Sequence, residues 1–219
     1  MNVMKAGKRY AAWTAGIVSL SMAFAMSGCA SKYGPADAVT YVESVLDASY
    51  RAEFEEYMQL TDSTPEEAQA MYQQNIENVM SGVGIDSAGL SDELSGQYRE
   101  IAPRLLALAK YEVTEAERED NGFAVRVAIE PFEGYLGLED DLVSALEEDA
   151  AGMTEMPDDL TVNEIVYQNM LEILQQKIDK PVYGDPEEYT IHVTEGDDRV
   201  YEIPKEELIE LDYALFPAG

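Results

Sequence analysis

The sequence predicts an α+β domain in which N-terminal helices pack on an antiparallel sheet of about four strands. Three observations carry this. Apolar residues recur at helical spacing as far as Leu108. The period changes to two after Lys110 and again after Glu188. Between these strand pairs lies a helical stretch, without the regular strand-helix alternation that builds a parallel sheet. The order is therefore helices, hairpin, helices, hairpin, helix. Two hairpins cannot hide their own apolar faces, so the helices must cover one face of the sheet.

Pro35 suits a first helical position, and Ala38, Val42, Val45 and Leu46 follow at helical spacing. A break is expected near Asp47-Ala48-Ser49, with Phe54, Tyr57 and Met58 in a second short helix. Thr64-Pro65-Glu66-Glu67 has the form of a capping box, in which hydroxyl and carboxylate satisfy each other's backbone N–H. It opens a helix whose apolar face is Ala68, Met71, Tyr72, Ile76, Val79 and Met80, and Gly82 and Gly84 stop it. Ser91 or Asp92 starts the next, where Leu94, Tyr98, Ile101, Leu105 and Leu108 form one stripe. Pro103 should kink that helix or mark a boundary, because it removes a hydrogen bond one turn back.

Tyr111 and Val113 begin a strand, Asn121-Gly122 suits a tight turn, and Phe123, Val125, Val127 and Ile129 alternate with Ala124, Arg126 and Ala128. Leu142, Val143, Ala145 and Leu146 suggest a short helix, and the acidic stretch Glu147 to Asp159 a mobile loop. Thr161-Val162-Asn163-Glu164 reads as a second capping box, leading into Ile165, Val166, Met170, Ile173, Leu174 and Ile178. Lys177, Lys180 and Pro181 end that helix. Tyr189, Ile191 and Val193, a turn from Glu195 to Asp198, and Val200, Tyr201 and Ile203 give the second hairpin. Pro204 then starts a last helix with Leu208 and Leu211.

The chain begins with a basic segment, Lys5, Lys8 and Arg9, and then runs apolar from Ala11 to Met26 apart from Thr14, Ser19 and Ser21. That is the pattern of an export signal. Met26-Ser27-Gly28-Cys29 places the only cysteine directly behind it, so the segment resembles a bacterial lipoprotein precursor, whose lipobox ends in a small residue and then Cys. The resemblance implies residues 1–28 as signal peptide, Cys29 as the lipidated first residue, 29–34 as lipidated Cys and short polar tether, and 35–219 as one α+β domain. Met26 stands where an aliphatic residue is usual. The helical opening Ala38-Val39-Thr40-Tyr41-Val42, the aromatic-rich hairpin and the anchor together resemble uncharacterised lipoproteins of Gram-positive bacteria with a cystatin-like or nuclear-transport-factor-2-like cone. The helical segment near 139–178 departs from the simple cone. The resemblance implies a lipid-anchored protein on the extracytoplasmic face of the cell membrane, held by acyl chains such as palmitate.

Composition bounds the partners. The basic residues before Cys29 number three of the chain's 14, and none of its 44 acids precedes Cys29, which leaves 11 basic against 44 acidic side chains and a formal net charge of −33. Such a surface repels phosphates, so nucleic acid is excluded as a partner and electrostatic docking on anionic lipid is disfavoured. The part after Cys29 has no thiol and hence no disulfide or thiolate metal site.

His192 is the only histidine, and between Ile191 and Val193 it points away from the apolar pair, as a solvent-facing strand residue does. It lacks the partners for zinc, and no Gly-x-Ser-x-Gly elbow supplies a serine nucleophile. Glu139-Asp140-Asp141, Asp158-Asp159, Asp185 with Glu187-Glu188, and Asp197-Asp198 offer oxygens to a hard cation, but none has EF-hand spacing, and solvated loops explain them as well. No metal, no cofactor and no catalytic residue is therefore assigned. Tyr98, Tyr111, Phe123, Phe132 and Tyr135 flank the helix-to-sheet junction and are the expected apolar wall of any ligand pocket. The expected function is binding of a small molecule, peptide or protein at the envelope. The alternative is a hydrolase or isomerase using an acidic residue, whose sign would be a buried carboxylate with a raised pKa.

Overall fold

The computed structural model describes residues 24–25, 33–82, 85, 89–153, 157–195 and 200–218. Cys29 and, apart from the pair Phe24–Ala25, the expected leader 1–28 lie outside these. Among the described residues the helices are α1 (Pro35–Tyr50), α2 (Glu55–Thr61), α3 (Pro65–Gly82), α4 (Asp92–Leu106), α5 (Leu138–Gly152), α6 (Asp159–Asp179) and α7 (Lys205–Leu215). The strands are β1 (Phe24–Ala25), β2 (Lys110–Glu119), β3 (Gly122–Glu130), β4 (Glu187–Glu195) and β5 (Val200–Glu202). They form one antiparallel sheet in the order β1-β5-β4-β3-β2, four main strands with a two-residue fifth at the edge. The expected α+β architecture is the observed one.

Registers explain the two faces. Tyr111 pairs with Ile129 and Val113 with Val127, and a bulge between Val113 and Glu115 keeps the alternation in phase beyond it. Phe123 pairs with Val193 and Val125 with Ile191. These apolar residues of β3 and β4 are buried under α1 and α7. The alternate residues, among them Glu112, Glu115, Glu117, Arg126 and Glu188, are exposed or half-buried. Arg126 sits among three of them, 2.7 Å from Glu115, 2.9 Å from Glu117 and 4.0 Å from Glu188. The helices α3, α4, α6 and α5 stack successively on α1 as an outer layer.

Gly122 makes the first turn possible. Its φ is 143°, and a Cβ there would lie 1.9 Å from the Val193 carbonyl oxygen. Only glycine admits that backbone and that approach. The second hairpin is shorter than the sequence suggests, with Thr194 paired to Glu202 and Glu195 to Tyr201. Below it the β4 edge turns to α7, where the His192 N–H donates to Glu207 Oε2 at 2.6 Å. A helix carboxylate thus takes the place of a strand carbonyl.

Several local expectations are corrected. The first helix runs through Asp47-Ala48-Ser49 to Tyr50 because Ala48, Ser49 and Tyr50 are buried, and the break falls at Arg51 to Phe54, with Ala52 at φ 57°. Pro103 lies inside α4 without splitting it, three residues before the helix ends, so the lost hydrogen bond belongs to its last turns. Glu147 to Gly152 is helix, part of α5, and not a loop. The helix expected to open at Thr161 begins at Asp159, since Asp158 caps it by accepting from the Thr161 N–H at 2.9 Å. Glu164 instead accepts from the Ser91 N–H at 2.6 Å, tying the start of α4 to α6. Thr64 and Glu67 do form the expected box, with Thr64 N–H to Glu67 Oε2 at 2.8 Å and the return bond at 3.3 Å. Tyr33, in the stretch expected to be a polar tether, is buried.

Candidate functional site

The five aromatics expected to line one pocket occupy three places. Tyr98 is buried on α4, meets Tyr167 edge-on with ring centroids 6.1 Å apart, and donates to the Tyr167 carbonyl at 2.7 Å. It joins two outer helices. Phe123 lies at the turn end of β3. Tyr111, Phe132 and Tyr135 lie at the other end, linked through residues that the sequence reading did not select.

That far end is built around Phe132. Its ring is fully buried and meets Tyr135, Tyr183 and Phe216 at 5.3, 5.9 and 6.2 Å. The ring lies so close over Gly134 that a Cβ there would sit 2.1 Å from its Cζ. Three backbone bonds converge on the same point, Phe132 N–H to Leu215 O at 2.7 Å, Glu133 N–H to Val182 O at 2.9 Å and Gly184 N–H to Pro131 O at 2.9 Å. Phe216 leads on to Tyr50 at 6.2 Å, and Tyr50 to Tyr111 at 5.7 Å.

Carboxylates sit among these rings. The Tyr50 hydroxyl donates to Asp212 Oδ1 at 2.9 Å, and the Tyr111 hydroxyl to Asp47 Oδ1 at 2.7 Å. Arg51 bonds the same Asp47 oxygen at 2.7 Å while its guanidinium lies 4.2 Å from the Tyr111 ring centre. Lys110 sits 3.8 Å over Tyr183 and 2.9 Å from Glu130. Burial raises the pKa of Tyr50 well above that of a free phenol, with Asp212 adding to it. Tyr135 is raised by burial and then by Asp212, and Tyr111 by burial and then by its bond to Asp47, with Arg51 opposing. At neutral pH these phenols are protonated, and Tyr50 donates to Asp212 and Tyr111 to Asp47. Such a network holds surfaces together.

The near end is held by rings. Tyr33 stacks on Tyr201 at 4.2 Å and meets Phe123 edge-on at 5.4 Å, and Phe123 lies 6.1 Å from Tyr201. Arg118 lies 4.6 Å from the Phe123 ring centre and donates to the Tyr33 carbonyl at 2.7 Å. Tyr33 and Tyr50 are not marked in the sequence, and Tyr201 is marked there only as a strand residue. For Tyr50 the signal existed, since it ends a helix whose apolar stripe already pointed at the sheet; for Tyr33 and Tyr201 local pattern carried none, because their contact spans most of the chain.

His192 is half-buried on the outward face, as expected, and its Nδ1 lies 2.9 Å from Glu207 and its Nε2 3.9 Å from Glu119. The acidic clusters have local uses. Glu139, Asp140 and Asp141 occupy the first turn of α5, where the helix dipole favours them, and Asp141 pairs with Lys177 at 2.7 Å. Asp158 caps α6, and Asp197 and Asp198 lie outside the described residues. Among the described residues no three His, Cys, Asp or Glu side chains come together as a metal set. Glu43 has a raised pKa, from desolvation first and then from Asp47 and Glu56, but it is exposed.

No protein-family model matches the chain, and no curated protein matches it. A solved structure does: a candidate lipoprotein, YcdA, of Bacillus subtilis, with TM-score 0.53 and 11% identity over 81% of this chain. The two share a fold. The chain spans about half of that protein, 55% of its length. Among the described residues no helix is long and apolar enough to cross a membrane.

Proposed function

We propose that this chain is an exported lipoprotein, anchored through acyl chains on Cys29 at the extracytoplasmic face of a Gram-positive cell membrane, whose domain binds an envelope ligand or partner protein. The observation that carries the reading is Met26-Ser27-Gly28-Cys29 behind a basic and apolar leader, four residues before Tyr33, where the packed domain begins. The fold shared with a candidate lipoprotein supports it, as does a far end whose polar groups serve cohesion in place of turnover. Two acyl chains give stable attachment where one gives reversible binding. Cys29→Ala tests the anchor: it should abolish labelling by radioactive fatty acid and release the protein from the membrane fraction. A variant that still labels and sediments with membranes would refute it. Binding is read by native mass spectrometry of the protein from its own envelope extract, before and after chelation. A mass that survives chelation and leaves on unfolding is the pocket ligand, and one that leaves with the chelator is an ion.

A further inference from the structure

We infer that the domain stands on the membrane by its near end, so that Tyr33, Asp120 and the β2–β3 turn face the bilayer and the Phe132 end points outward. This rests on the reading of Cys29 as the anchor and adds which surface meets the lipid. Tyr33 is clamped by Tyr201, Phe123 and Arg118. Only four steps separate it from Cys29, so the acyl chains attach within about 14 Å of the clamp even with the tether fully extended. Phe24 and Ala25, which pair with Tyr201 and Val200, belong to the leader that this reading removes, so Tyr33 is what fixes the anchor to this end of the sheet.

The other end is out of reach. From Gly122 to Glu130, β3 runs about 27 Å at roughly 3.4 Å per residue, and Phe132 lies beyond it. Charge does not choose between the stances, since the outward sheet face carries Glu112, Glu115, Glu117 and Glu188 and the near end Glu119 and Asp120, so the length of the tether decides. The half-exposed Leu136 and Val182 then sit at the end turned away from the bilayer, joined by the Glu133 N–H bond to the Val182 carbonyl at 2.9 Å.

Trp13 is the chain's single tryptophan and precedes Cys29, so a tryptophan placed in the domain reports without background once the leader is removed. Asp120→Trp marks the near end and Leu136→Trp the far end. Each protein is purified from membranes and reconstituted in phosphatidylcholine vesicles with a minority of phosphatidylglycerol and a lipid bearing a headgroup nitroxide. Because the ends differ by more than the tether can span, fluorescence quenching should be at least about threefold greater for Asp120→Trp than for Leu136→Trp. Equal quenching, or the reverse order, overturns the inference. Adding Tyr33→Ala frees the chain up to α1 and should shrink the difference; an unchanged difference would show that the clamp does not set the stance. The mass of the N-terminal peptide decides lipidation separately. If Cys29 proves to be a free thiol, the anchor reading fails, and the same thiol, unique in the chain, is coupled to a maleimide lipid so that the quenching comparison still tests the geometry.

Discussion

Both ends of the sheet are packed with aromatic side chains, but they are held in different ways. At the near end Tyr33, Phe123 and Tyr201 meet ring on ring, Arg118 donates to the Tyr33 carbonyl at 2.7 Å, and the phenol bonds are long, Tyr201 to Glu195 at 3.3 Å and Tyr33 to the Asp37 carbonyl at 3.2 Å. At the far end the rings of Phe132, Tyr135, Phe216, Tyr50 and Tyr111 are interleaved with Asp47 and Asp212, and phenol hydroxyls donate into carboxylates. Ring stacking fastens Tyr33 with one buried phenol at stake, whereas the far-end network, with three, holds only while its phenols keep their protons. One end is suited to anchoring, and the other to joining α1, α7 and the sheet into a rigid outward surface.

Alkali should expose the difference most strongly. Unfolded phenols ionise near pH 10. Tyr33, Tyr50, Tyr111 and Tyr135 are all raised by burial, and Tyr189 is pushed up to about 12 by burial and then by Glu210. The folded state therefore retains protons that the unfolded state loses. Their contribution is complete below pH 10 and falls as pH rises toward the folded pKa values, by about 1.4 kcal/mol per unit for each buried phenol. Urea midpoints from pH 8 upward should drop steeply above pH 10, with amide exchange quickening first at the far end, which carries three of these phenols.

Phe132→Ala removes the hub of the far end and should cost about 3–5 kcal/mol, read by urea unfolding at neutral pH. Gly122→Ala strikes the near end through the backbone, with a Cβ driven into the Val193 carbonyl, and should cost about 3 kcal/mol. Tyr50→Phe keeps the ring but strips Asp212 of a donor, so about 2 kcal/mol should be lost. Tyr33→Phe keeps the stack and loses a 3.2 Å bond to the Asp37 carbonyl, for less than about 1 kcal/mol. If Tyr33→Phe proved as damaging as Tyr50→Phe, the contrast between the ends would fail.

Much of the fold is legible in the sequence because it is written in short periods. The alternation of Phe123 to Ile129 and the stripe from Leu94 to Leu105 each state their own buried face. Where competing local signals exist, tertiary contact decides. Thr161 and Glu164 have the right spacing for a cap, but Asp158 lies closer to the true start, and Glu164 is drawn to Ser91 of another helix. The far end was half visible, since Tyr111, Phe132 and Tyr135 are its members, while its second half, Tyr50, Asp212 and Phe216, comes from the two terminal helices. A contact between residues 50 and 212 has no local sequence mark. Phe123 and Tyr98 share the aromatic character of the others but not their location, because composition says nothing of which end of a strand a residue occupies.

The most direct test of the account is the intact mass of the protein extracted from membranes. A lipid-anchored protein should give a chain that begins at Cys29 and carries the added mass of acyl chains on that residue. A chain that keeps the segment before Cys29, or one cut at another site with Cys29 unmodified, would contradict it.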